Sequence, residues 1–154
     1  DEAYAQFREG LDYITRKLAR MIVEDGEGAT KLVTVTVKGA RNESEAEMAA
    51  RAVAESPLVK TAIYGMDPNW GRVAAALGYS GAVFDPEKVQ IWFDDLQIVD
   101  NGVATDYDED SARKLFMKNN LRITANLNAG DAEATIWTCD LTDEYIRINA
   151  SYRS

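Results

Sequence analysis

Glu27 stands alone between two glycines in Asp25-Gly26-Glu27-Gly28-Ala29-Thr30-Lys31. Glycine lets the backbone take φ > 0 and lets another group come close. A carboxylate displayed on such a corner is well placed to meet a ligand. The same residues also suit a plain helix stop, because Gly is common just past a helix end. A second cluster, Asp67-Pro68-Asn69-Trp70-Gly71-Arg72, brings together two capping side chains, an indole and a guanidinium. Asp67 or Asn69 can cap the following helix, and Pro68 is acceptable near its start. Gly71 early in a helix costs about 1 kcal/mol against Ala, which predicts a close approach there by a strand or a ligand. The tail Asn149-Ala150-Ser151-Tyr152-Arg153-Ser154 offers neutral hydrogen-bonding groups suited to a small carboxylate or amide.

The chain of 154 residues has no histidine. No Ser-His-Asp or Cys-His nucleophile pair can therefore be built from it. A Zn site made from Cys and His is excluded by supply, and no metal site is expected. One other route to an activated nucleophile is a Thr whose base is its own N-terminal amine; the chain given begins with Asp1. The single cysteine, Cys139, cannot form an internal disulfide and fits a reducing compartment. With no imidazole to activate it, Cys139 reads as a small buried hydrophobe. Asp106, Asp108 and Asp110 mimic the start of a Ca²⁺ loop. Ser111 and Met117 stand where that loop needs Gly and Glu, so a solvated acidic helix start is the better reading. The net charge of −9 disfavours a nucleic-acid partner. No apolar run approaches the roughly 20 residues that span a bilayer, so no membrane partner is expected.

The elements that must position these residues follow from periodicity. Phe7, Leu11, Ile14, Leu18 and Met21 form an apolar stripe on a helix over residues 3–24. Leu32-Val33-Thr34-Val35-Thr36-Val37 reads as a strand ending at Gly39. Ser44 with Glu47 reads as a capping box opening a helix to residue 55. Pro57 marks a break, and residues 58–63 are ambiguous. Residues 69–77 read as a helix, 89–93 and 96–99 as strands, and Asn101-Gly102 as a tight turn. Residues 108–119 read as a helix, and 121–127, 134–139 and 142–148 as strands. Helices and strands mix without strict alternation, which predicts a layered mixed α/β (α+β) domain spanning residues 1–154 as one unit.

Taken in order, five segments resemble the glutamate/ornithine N-acetyltransferase family of arginine biosynthesis. They are residues 21–31, the stretch Ser56-Pro57-Leu58-Val59-Lys60-Thr61-Ala62-Ile63, residues 67–72, Trp137-Thr138-Cys139-Asp140-Leu141-Thr142, and the tail from Ile148. Ser151 departs from the Asp that the family more often carries. The resemblance implies the ornithine acetyltransferase/aminopeptidase-like fold and a precursor that cuts itself before a threonine. That threonine accepts acetyl from N-acetylornithine and passes it to glutamate by a ping-pong route. It implies no cofactor, although acetyl-CoA serves as donor in some members.

By position this chain resembles the C-terminal part of the β chain. The nucleophilic Thr and the oxyanion-hole residues lie outside it, the latter in the α chain. The partners implied are the α chain and the N-terminal part of the β chain, in a cytoplasmic assembly of two α and two β chains. Residue by residue, Glu27, Asn149 and Ser154 match the family's substrate-binding positions. Asp67, Asn69 and Arg72 read as structural support for the corner, and Cys139 and Asp140 likewise. The alternative is a structural domain that only packs against its partner chain. In either case the chain alone is expected to be inactive.

Overall fold

The computed structural model describes residues 1–151. Helix α1 (Glu2–Glu24) precedes strand β1 (Leu32–Ala40). Three helices follow, α2 (Glu43–Glu55), α3 (Pro57–Tyr64) and α4 (Trp70–Tyr79), and then a short 3₁₀ turn at Pro86–Lys88. Strands β2 (Gln90–Phe93), β3 (Leu96–Asp100) and β4 (Val103–Ala104) lead to α5 (Glu109–Phe116). Strands β5 (Asn120–Asn126) and β6 (Ala132–Cys139) and helix α6 (Asp143–Ser151) end the described chain.

The six strands form one sheet in the order β4-β3-β2-β5-β1-β6. Only β1 and β5 run parallel. Alternation sends Val33, Val35 and Val37 of β1, with Leu121, Ile123 and Ala125 of β5, into the core. On α2, Ala46, Ala49, Ala50, Val53 and Ala54 are buried at helical spacing. Their small size lets α2 lie close against β1 and β6. Phe93 and Phe116 meet edge to face with centroids 4.8 Å apart. The other sheet face is only half covered. It carries Thr34, Thr36, Trp92, Thr124 and Trp137 beside the exposed Lys38, Arg122 and Thr135.

Two expectations need correction, and one open segment is settled. The N-cap of α2 is Asn42, whose Oδ1 accepts from Glu45 N at 2.9 Å, so the helix starts one residue before Ser44. The ambiguous segment is helical, started by Ser56 Oγ accepting from Val59 N with Pro57 at the first position. The last segment is helix α6 where a strand is expected. Thr142 Oγ1 accepts from Tyr145 N at 3.3 Å and supplies a cap, and Asp143 and Glu144 favour the positive end of a helix. These local bonds outweigh the β propensity of Tyr145, Ile146 and Ile148. The stripe on α1 is also unlike a core face: no residue of α1 is buried, and Phe7, Leu11, Ile14, Leu18 and Met21 are all exposed.

Candidate functional site

Helix α1 ends without a left-handed glycine. Asp25 caps it at φ −93°, and Gly26 N donates back to Val23 O at 3.2 Å. The chain then turns through Glu27 and Gly28 and enters β1. Gly28 has φ +69°, and a Cβ there would sit 2.7 Å from Tyr145 N. A Cβ at Gly26 would lie 3.2 Å from Cys139 Sγ. The glycines therefore clear space for the chain's own end of β6 and start of α6.

That connection grips the corner at two points. Thr142 Oγ1 donates to Gly28 O at 2.7 Å while it caps α6. Asp140, 3% exposed, accepts from Thr30 N at 2.8 Å, from Lys31 N at 3.0 Å and from the Thr30 hydroxyl. One turn along α6 from Tyr145, Asn149 Nδ2 donates to Glu27 Oε2 at 2.8 Å and to Tyr145 O at 2.9 Å. Glu27 and Asn149, 122 positions apart, thus meet on the surface above a buried polar frame. Ser154 lies outside the described residues.

The frame is buttressed from α3. Leu141 N donates to Lys60 O at 3.3 Å, and Lys60 Nζ lies 4.0 Å from Cys139 Sγ. Cys139 is half-buried, not a sealed core residue. Tyr64 Oη donates to Asp143 Oδ1 at 2.7 Å. This bond holds the Asp143 carboxyl below the usual range and, with the carboxylate charge, pushes the Tyr64 phenol up. Glu144 and Arg147 pair at 2.6 and 2.7 Å, which lowers the Glu144 carboxyl further along the same turn.

Asp67, Asn69 and Arg72 stand one step further away. Asn69 Oδ1 caps α4 through Arg72 N at 3.1 Å, and Asn69 Nδ2 donates to Asp67 Oδ2 at 3.0 Å. Arg72 Nη1 donates to Leu58 O at 2.8 Å, tying α4 to α3. The close approach expected at Gly71 is absent among the described residues: a Cβ there would meet only Asn69 Oδ1, at an ordinary 3.5 Å. Asp108 spends its carboxylate as the α5 cap, accepting from Ser111 N at 2.8 Å. Among the described residues no three Cys, Asp or Glu side chains are grouped to hold a metal ion.

Sequence reasoning missed the second half of this corner. Read as a strand, residues 142–148 could not bring Asn149 back over Glu27. The signal was present in Thr142-Asp143-Glu144, a capping side chain followed by two acids.

A family model described as the ArgJ family matches residues 1–154. The chain belongs to the ArgJ family. It is 51% identical over 151 residues to the arginine biosynthesis bifunctional protein ArgJ of Symbiobacterium thermophilum, covering 98% of this chain and 38% of that protein. It is 45% identical over 157 residues to the glutamate N-acetyltransferase of Methanopyrus kandleri, covering 41% of that protein. The crystal structure of the ArgJ protein of Bacillus halodurans superposes with a TM-score of 0.94 at 41% identity, over 97% of this chain and 70% of that one. The chain therefore has the ArgJ fold and spans about two fifths of the length of these curated relatives. Among the described residues no helix is long and apolar enough to cross a membrane.

Proposed function

We propose that this chain is the substrate-binding, C-terminal part of the β chain of an ArgJ acetyltransferase. The enzyme moves an acetyl group from N-acetylornithine to glutamate, in some members also from acetyl-CoA. The observation that carries this reading is the Asn149–Glu27 hydrogen bond at 2.8 Å. It joins two of the three positions that the family resemblance marks for substrate, from opposite ends of the chain.

The chemistry divides as follows. The Glu27 carboxylate receives a substrate ammonium in a charge-assisted hydrogen bond. Asn149 Nδ2 holds one oxygen of the Glu27 carboxylate in place, and its Oδ1, with Ser154, bonds polar groups of the amino acid. The covalent steps belong to residues outside this chain. A self-cleaved N-terminal Thr of the β chain takes the acetyl group as its ester and releases ornithine. It then gives the acetyl group to the glutamate amine, with oxyanion donors from the α chain.

The exposed apolar stripe on α1 supports a chain that packs against such partners, in a cytoplasmic assembly of two α and two β chains. The structural-domain reading and the substrate-binding reading are compatible, because one chain can pack against its partners and also hold substrate.

The test is Glu27→Gln in the full enzyme. It should raise KM for N-acetylornithine, while an unchanged KM and kcat would sink the assignment. The isolated chain should show no acetyl transfer.

A further inference from the structure

We propose that Asp140 and Thr142 are positioning residues for the Glu27–Asn149 pair. This rests on the substrate-binding reading of that pair. Both are buried, at 3% and 4% exposure, whereas Glu27 and Asn149 are exposed. Two long side chains on a surface lose rotamer freedom when they are held in one geometry. A pair with mobile backbones would therefore be loose, and its precision must come from beneath.

Asp140 fixes the downstream side of the corner. Its Oδ1 takes both Thr30 N and Lys31 N, and its Oδ2 takes the Thr30 hydroxyl. Three donors from one dipeptide, converging on one buried carboxylate, pin residues 30 and 31 to the end of β6. Thr142 fixes the rest. One hydroxyl joins Gly28 O, next to Glu27, to Tyr145 N, four residues before Asn149. Residues 140–142 are thus one short link that sets the distance between the corner carrying Glu27 and the helix carrying Asn149. Neither side chain needs to touch substrate for this.

The chemistry of Asp140 makes a conservative variant informative. An Asn side chain keeps one oxygen for the two amides and turns an N–H₂ toward the Thr30 hydroxyl, which can accept. Ala keeps nothing.

The test is calorimetric binding of N-acetylornithine to the full-length enzyme. Asp140→Ala should weaken binding roughly ten- to a hundredfold, the scale of a misplaced binding group. Asp140→Asn should stay within about threefold of wild type. In a Glu27→Gln background, Asp140→Ala should add less than about threefold, because both changes then disable the same contact.

Normal binding by Asp140→Ala, or full additivity with Glu27→Gln, would overturn the positioning role. Normal binding by Glu27→Gln alone would overturn the substrate-binding reading and remove the pair that Asp140 serves. Where Asp140→Ala does not accumulate as folded protein, Thr142→Val enters the same cycle, and additivity there overturns the proposal equally.

Discussion

Gly28 and Tyr145 touch so closely that a single methyl group at Gly28 would lie 2.7 Å from the Tyr145 amide nitrogen. The same glycine holds φ +69°. Gly28→Ala therefore meets two penalties, about 1–2 kcal/mol for the left-handed backbone and a clash with the first turn of α6. An unfolding free energy from urea denaturation lowered by at least that amount is expected. Gly10→Ala is the contrast. Nothing lies within 4 Å of a Cβ there, and an exposed helical Gly is about 1 kcal/mol worse than Ala, so no loss is expected.

How far the sequence revealed this corner can be judged from its two halves. Residues 25–31 could be placed between a helix and a strand because α1 and β1 have unmistakable periods, one near 3.6 and one of 2. Glu27 was therefore visible as a displayed carboxylate. The reason for its glycines was not, because the group that Gly28 clears is the Tyr145 amide, 117 positions later, and no local pattern reports a distant approach. Asn149 was marked as a hydrogen-bonding group, but its partner was hidden by the strand assigned to residues 142–148. β-branched and aromatic residues dominate that stretch, and a capping hydroxyl at Thr142 overrides them. The outward stripe of α1 has a similar origin: period reveals an apolar face, not what covers it.

Tyr64 and Asp143 tie α3 to the start of α6, and the pairing carries a pH signature. Asp143 is depressed below its usual value chiefly by the Tyr64 hydrogen bond, so its stabilisation is present above about pH 4 and is lost as pH falls through the folded value. Tyr64 is raised chiefly by the same bond, so its stabilisation is present below about pH 10 and is lost as pH rises through the folded value. Tyr64→Phe should lower the denaturation midpoint at pH 7. The gap from wild type should narrow as pH falls below about 4. A gap independent of pH would show that the hydroxyl acts through packing alone.

Ala50 lies at 0% exposure on the face of α2 that meets the sheet. The close seat of that helix depends on small side chains at this contact. Ala50→Leu should cost about 1–3 kcal/mol by overpacking. Because α2 packs on β6 as well as β1, the strain should reach the strand that ends at Cys139 and Asp140. Faster amide exchange at Thr30 and Lys31, whose N–H groups Asp140 receives, is the measurement that checks it.

Helix α1 offers a test of the partner reading that spares the fold. Phe7 is 67% exposed, Leu11 49% and Leu18 52%, all along one stripe. Leu18, Met21, Ile22, Glu24 and Asp25 at the end of the same helix line an open hollow of about 800 Å³. A stripe of this size is unusual on a free surface and marks a contact. Leu11→Lys with Leu18→Lys removes apolar surface that no core residue covers, and Lys is a good helix former. The isolated double variant should therefore unfold within about 0.5 kcal/mol of wild type. Expressed beside the remainder of the polypeptide, it should no longer co-purify with it, whereas the wild-type chain should. Retained co-purification would show that the partner contact does not depend on this stripe.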